Sequence, residues 1–549
     1  MTSLHASSPE PSTHDSARPQ RSSFSRRVRH AAGFVRDHIK KHVGVGTVCA
    51  VAYFDPGNWG VDLEAGSKYG YRLLFVILLA GIFAVFLQVL GSRLGCVTGI
   101  DLASHCRLLL YNRTKRPRLV RWLTLYPLYV ISEVAIIATD LAELLGSAIA
   151  LCLLFPKLEL WHGVLITAFD VIFLLALKDP LGAKPVRPFE LLIAALVLAV
   201  LICLLIVIAS VDVEWGTTFK GFIPSKYVIE NGALYTSVGI LGATVMPHSL
   251  FLGSALATQD RVSPPKPSMS TDSLEDMGMA PAYTSPTSTI RNIPRKTAQW
   301  IVASFRTPPP SASSAQATTH AEHDNRPLSF IKAHLYHGTA DIIGSLLGFA
   351  VLINSLILIL ASAVFFYGSG RGDTGNKDPA GLFDAYDLIR DLVGKSAATL
   401  FAIALLAAGQ SSSIIATVAG QAVSEGFLRW RVSAVVRRLL TRLIAVIPSM
   451  VVAVALGRDG VDSLLVASQV VLSICLPFIC LPLLYVTSSR AIMSVREPVV
   501  SRSSSSLTPV EAETGFRVVD FSNGLIAKIF GALLWIVIVI ANVYVLVTL

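Results

Sequence analysis

Apolar runs of about twenty residues recur along this chain from Val43 to its last residues, separated by shorter polar connections. About twenty apolar residues are what an α-helix needs to cross hydrocarbon. Within lipid every backbone group must be bonded internally, which helices achieve. The pattern predicts an all-α polytopic membrane protein with about eleven transmembrane helices. They fall near 43–66, 72–92, 123–154, 161–177, 188–210, 233–257, 338–367, 397–425, 438–456, 462–487 and 525–548. Polar stretches set the divisions. Residues 1–42, rich in Ser, Pro and Arg, read as a disordered cytoplasmic tail, and 258–330, with "SPPKPSMS" and "RTPPPSASSAQATT", as a disordered cytoplasmic insert. Spans 1–6 then occupy 43–257 and spans 7–10 occupy 331–487, with a cytoplasmic loop at 488–524 before span 11 at 525–549.

Composition agrees. Of 549 residues 53% are hydrophobic and 15% charged, against about a quarter charged in soluble domains; mean hydropathy is +0.61. A net charge of +10 would suit nucleic acid, but the basic residues are placed otherwise. They gather in Arg21–Arg36, in the connection with Arg107, Arg113, Lys115, Arg116, Arg118 and Arg121, and in Arg429–Arg442. With a cytoplasmic N-terminus and alternating spans all three clusters lie inside, and 211–232, with Asp212, Glu214 and Glu230 against Lys220 and Lys226, lies outside. That is the positive-inside pattern, so charge reports topology and no nucleic-acid partner is expected. Seven cysteines without a CxxC pair suit apolar packing rather than disulfides or zinc. No apolar signal core precedes the first span, and the sequon at Asn112 falls inside, where no glycan is expected. Ser/Thr–Pro sites in the insert fit phosphorylation or plain linker duty, and regulatory partners would meet these tails.

An odd count of spans sends the C-terminus outside. Spans 1–5 and 6–10 then form two halves of opposite orientation, with span 11 appended. In such transporters a Gly/Pro-interrupted apolar segment at corresponding positions of both halves points to the substrate site. Span 1 reads "AVAYFDPGNWG" and span 6, which opens the second half, reads "GILGATVMPHSLFLG". Both are broken near the middle. Ala52, Asp55 and Asn58 are spaced by three, offering carbonyl, carboxylate and amide oxygens; Ala243 and Met246 repeat the spacing, and Pro247 cannot close the helix. Hard oxygens with one thioether suit Mn²⁺, Fe²⁺, Co²⁺ or Cd²⁺ and disfavour Ca²⁺ and Mg²⁺. Core packing is the plain alternative for Met246. An intramembrane carboxylate such as Asp55 costs at least ~2.5 kcal/mol and by default marks function.

Other polar residues inside spans extend the picture. Glu133, Asp140 and Glu143 in "ISEVAIIATDLAELLG" share roughly one helical face of span 3 and must line the interior. His248 titrates near physiological pH when unperturbed, and Arg442 lies one turn inside span 9 from Arg438. A carboxylate row, a histidine and an arginine form a proton relay toward the inside, although a helix-end hydrogen bond accounts for His248 equally well. Arg437 and Arg438 read as positive-inside anchors. Asn354 in span 7, Ser411–Ser413 in span 8 and Gln469 in span 10 are further polar candidates, the serines fitting interhelical packing.

"DPGN" in span 1, "MPH" in span 6, "ATDLAELLG" in span 3 and "GQSSS…AGQ" in span 8, in this order, resemble the Nramp family of divalent metal transporters over roughly 43–490. The Ser-rich tail and long insert resemble fungal members. The resemblance implies a LeuT-like 5+5 inverted repeat with helices 1 and 6 broken, and proton-coupled import of Mn²⁺ and Fe²⁺, with Co²⁺, Cd²⁺ and Zn²⁺ as further cargo, by alternating access. It implies metal held by Asp55, Asn58, Met246 and the Ala52 and Ala243 carbonyls, with Gln469 and Asn354 matching family positions. Asp140, Glu143 and His248 match the family's proton route. Position 475 is Cys where many members carry Gln, which puts an amide role there in doubt, and the retained Met246 separates the chain from the magnesium- or aluminium-carrying branch. No resident cofactor and no enzyme chemistry are expected; the partners are divalent metals, protons and membrane lipid, at the plasma membrane or an endosomal or vacuolar membrane. The rival readings are a LeuT-fold amino acid or organic-cation transporter, and a channel or metal-sensing receptor.

Overall fold

Span 1 is two helices, Val45–Val51 and Pro56–Tyr69, because its sequence supplies a stop and a fresh start. Asp55, in extended conformation, caps the second helix by accepting from the Asn58 N–H at 2.9 Å, and Pro56 takes the first helical position, where a missing N–H costs nothing. Span 6 repeats the device: Ala233–Thr244 ends, Met246 is extended, and Pro247 opens Pro247–Leu256. The structure, a computed structural model, describes residues 44–113, 115–168, 181, 186–230, 232–262, 319–368, 381–429, 434–498 and 516–548. Expectations for 1–42, for the bulk of the insert with its Ser/Thr–Pro sites, for the later half of span 4 and for the middle of 488–524 lie outside those residues.

Eight of the described helices, some of them fused runs, are long and apolar enough to cross a membrane, and a shorter apolar helix covers Leu439–Ala455. The run Pro56–Thr98 is 43 residues, enough for two crossings. It turns at Gly70, whose φ of +61° suits glycine and few other residues, and so supplies both the second half of span 1 and span 2. Spans 3 (Tyr126–Leu154), 5 (Arg187–Ala209), 8 (Lys395–Leu428), 9 (Ala434–Ala455), 10 (Gly457–Ser488) and 11 (Leu525–Thr548) stand near their expected positions. Span 4 is described over Leu160–Ala168. The chain is therefore an all-α polytopic protein with spans 1 and 6 interrupted.

Span 7 starts at Leu328, three residues inside the expected insert and ten before the expected start of the span. Lys332, His334, His337 and Asp341 lower the hydropathy of that stretch, yet it is helical and earns its place by contact. Asp341 Oδ2 accepts from the Gly46 N–H at 2.7 Å and the Gly44 N–H at 3.2 Å, capping span 1 from another helix. The residues before span 7 are fastened too. The Arg326 N–H donates to the Val97 carbonyl at 2.9 Å, the Asn325 amide to those of Ile492 and Ser494, and His320 Nε2 lies 2.9 Å from His105 Nδ1. Burial holds His105 well below its ordinary pKa and lowers His320 to about 4, which favours the neutral form of both rings. The connection 488–524 also holds more than a loop: β1 (Ser494–Pro498) pairs antiparallel with β2 (Phe516–Asp520).

Spans 1, 6 and 10 pack together around the two breaks, while span 3 lies against spans 8, 9 and 10. Close approach depends on glycine where span 2 meets the second half of span 6. A Cβ on Gly95 would overlap the Ser254 carbonyl oxygen, which is backbone and has nowhere to go. Gly95→Val is expected to destabilise this pair of helices by roughly 1–3 kcal/mol or more, read as a lower melting temperature and aggregation of detergent-solubilised protein; a variant as monodisperse and stable as the parent would contradict the packing.

Candidate metal site

Both breaks leave a carbonyl that the helix cannot use. The N–H that would close on the Ala52 carbonyl belongs to residue 56 and the one for Ala243 to residue 247, and both are prolines without an N–H. Between each such alanine and its proline stands the residue with a ligating side chain, Asp55 or Met246, each fully buried. Asp55 Oδ1 accepts from the Asn58 N–H at 2.9 Å and the Asn58 side-chain amide at 2.8 Å, whereas Oδ2 has no hydrogen-bond partner. The carboxylate is thus oriented by the helix start and aims one oxygen elsewhere.

Two further spans close on this point. Asn354 of span 7 donates to the Tyr53 carbonyl at 2.7 Å and reaches Asn58 Oδ1 at 3.5 Å, leaving its own Oδ1 unpartnered. Gln469 of span 10 bridges the breaks. A Cβ on Gly57 would overlap its side-chain amide, and a Cβ on Gly242 would stand 2.7 Å from its backbone carbonyl. Gln469 Oε1, Thr244 Oγ1 and Ser473 Oγ are likewise buried without partners. Each such oxygen costs about 1–3 kcal/mol if left bare, so a cluster of them marks where a ligand belongs. The set contains oxygen acceptors, hydroxyls and one thioether, and no cationic side chain. Among the described residues no three His, Cys, Asp or Glu side chains are placed to hold a metal; a cation here would meet the Asp55 carboxylate among amides, carbonyls and sulfur.

Directly beside the breaks lies a network that sequence reasoning missed. Tyr53 O–H donates to Gln88 Oε1 at 2.9 Å, the Ser249 hydroxyl lies 2.6 Å from Tyr53 Oη and 2.9 Å from the Met246 carbonyl, and the Gln88 amide reaches Cys49 Sγ at 3.2 Å. Span 2 is thereby tied to both broken spans. The available signal was Gln88 alone in "LFVILLAGIFAVFLQVLG", a buried amide that needed partners. Asp62 was also passed over. It is 2% exposed on the second helix of span 1, two turns beyond Asp55, and its Oδ2 has no partner.

The structure arranges the proton-route candidates along span 3. His248 Nδ1 lies 3.3 Å from the Thr139 hydroxyl, with Nε2 unpartnered, and Asp140 is the next residue. Arg442 donates to the Asp140 carbonyl at 3.3 Å, places Nε 3.8 Å from Asp140 Oδ1, and hydrogen-bonds the Ser413 hydroxyl. Glu143 is fully buried one turn further along. Seven residues before Asp140, Glu133 pairs with Arg437 at 2.7 Å. Arg437, expected as an interfacial anchor, is 8% exposed and pairs with a span-3 acid. Spans 3 and 9 are therefore joined by two carboxylate–guanidinium rungs. All seven cysteines are free.

Residues 46–284 and 311–501 match the model of the family described as natural resistance-associated macrophage protein-like (Nramp). The chain is 41% identical over 475 residues to a manganese transporter of Schizosaccharomyces pombe, covering 86% of this chain and 79% of that protein. It is 37% identical over 519 residues to an iron transporter of Saccharomyces cerevisiae, covering 92% and 96%. A crystal structure of the Eremococcus coleocola manganese transporter is similar with a TM-score of 0.64 at 31% identity, over 91% of this chain and 84% of that one.

Proposed function

Because this chain belongs to the Nramp family, we propose that it carries divalent transition-metal ions, Mn²⁺ and Fe²⁺ foremost, across the membrane together with protons, by alternating access. The observation that carries this reading is the meeting of two interrupted spans around buried, unpartnered oxygens with Met246 at the second break. Asp55, Asn58, Asn354, Gln469 and the Ala52 and Ala243 carbonyls supply hard ligands, and Met246 supplies a soft one. That mixture favours divalent transition metals over alkaline earths. A transporter for amino acids would instead offer N–H groups at a half-helix start to the substrate carboxylate, and here Asp55 already occupies that start.

Asp55 binds the cation. His248, against Thr139 and next to Asp140, takes the proton toward the Asp140 carboxylate and on to Glu133, with Glu143 on the same span, while the Arg442 and Arg437 guanidiniums, already protonated, hold the two carboxylates in place. The positive-inside pattern supports release of both in the cytosol. The Tyr53–Gln88–Ser249 network closes one side of the site, and it must part when that side opens. In proteoliposomes with a trapped pH dye, Mn²⁺ entry is expected to acidify the lumen, and the dye response should disappear with Mn²⁺ withheld. Saturable Mn²⁺ uptake with no pH change would leave a uniporter and overturn the coupling.

A further inference from the structure

A groove of about 470 Å³ lies between spans 10 and 11, away from the metal site. Its polar end is made by Ser488, Ser489 and Lys528, and its apolar length by Leu481, Leu484 and Trp535. The Trp535 indole is fixed by donating to the Pro477 carbonyl at 2.9 Å, so its ring serves as a rigid wall. The polar end is also the basic end. Arg93 hydrogen-bonds Asn523, whose amide reaches Ser488 Oγ at 3.1 Å, and Arg490 is matched by Asp520 at 3.0 Å. Among the described residues no carboxylate forms an ion pair with Lys528, although Asp520 is within its electrostatic reach, and Arg93, Arg490 and Lys528 against Asp520 leave this end with positive charge in excess. Hydroxyls and a cation at one end, with an apolar slot continuing along two helices, are the two parts of a phospholipid in register.

We propose that this groove binds an anionic glycerophospholipid, its phosphate at Lys528, Ser488 and Ser489 and one acyl chain along Leu481, Leu484 and Trp535. Under the orientation given above the basic end faces the cytoplasmic leaflet, where anionic lipids concentrate. Span 10 gives the site a route to transport. It carries Gln469 at the breaks, and Pro477 removes a helix hydrogen bond between Gln469 and the groove, as Pro482 does within the groove-lining stretch. A lipid wedged there sets how the end of span 10 stands against span 11.

The test is native mass spectrometry of the full-length purified transporter, incubated with phosphatidylserine or phosphatidylcholine of identical acyl chains. It reads binding in detergent, so it is independent of orientation and of the cargo. The parent protein is expected to retain phosphatidylserine over phosphatidylcholine. Lys528→Glu should lower phosphatidylserine retention about fivefold or more, as loss of one basic contact implies, Lys528→Arg should preserve it, and Ala532→Phe, which fills the slot, should reduce both lipids. Equal retention of the two lipids by the parent, or a Lys528→Glu variant that holds phosphatidylserine as the parent does, means annular lipid only and overturns the site.

Discussion

Asp55→Ala abolishes Mn²⁺ uptake, a fall of at least about 100-fold in kcat/KM, equivalent to about 2.7 kcal/mol. It removes the one carboxylate at the breaks themselves: Asn58, Asn354 and Gln469 are neutral amides, and Asp62, the next acid on that helix, stands two turns further along. The alanine variant also loses the cap on Pro56–Tyr69, worth about 1 kcal/mol, so a folding defect must be separated from a binding defect. Asp55→Asn separates them. Asparagine caps a helix as well as aspartate does, so this variant should melt like the parent protein while its uptake falls to background. An asparagine variant that transports Mn²⁺ at near-normal rate would remove Asp55 from the metal site.

Met246→Ala changes which ions pass. With the thioether gone the site is all oxygen, so Ca²⁺ becomes a transported ion while Cd²⁺ uptake falls about tenfold, about 1.4 kcal/mol for a lost soft ligand. Met246 makes no side-chain cap to Pro247–Leu256, so the helix start survives the change. The readout is paired uptake of Cd²⁺ and Ca²⁺ in proteoliposomes, with Mn²⁺ as the common reference. An unchanged Ca²⁺/Cd²⁺ ratio would mean that Met246 is packing and that selectivity lies elsewhere.

The breaks were legible because they violate a strong rule. A carboxylate and a proline inside an apolar run have an energetic cost, and two such interruptions at matching places in two halves are conspicuous in one dimension. The rest depends on which face of a helix a residue occupies and what stands opposite, which one sequence does not carry. Asp62 sits in the same stretch as Asp55, yet only the fold shows its oxygen to be buried and bare. Tyr53, Gln88 and Ser249 come from three spans, and their hydrogen bonds exist only after packing. Arg437 near a span end already had an explanation as an anchor, so its pairing with Glu133 was invisible. The polar start of span 7 was hidden for the opposite reason. Its lysine, histidines and aspartate lower hydropathy, and Asp341 earns burial by capping another helix.

One cation is expected to sit between the two breaks with both oxygen and sulfur bound to it. X-ray absorption at the cadmium edge, on purified transporter loaded with one equivalent of Cd²⁺, examines that directly. The expected spectrum has one sulfur among oxygen neighbours in the parent protein, the sulfur absent in Met246→Ala, and no ordered site in Asp55→Ala. An all-oxygen shell in the parent, or a sulfur that persists after Met246 is removed, would contradict it.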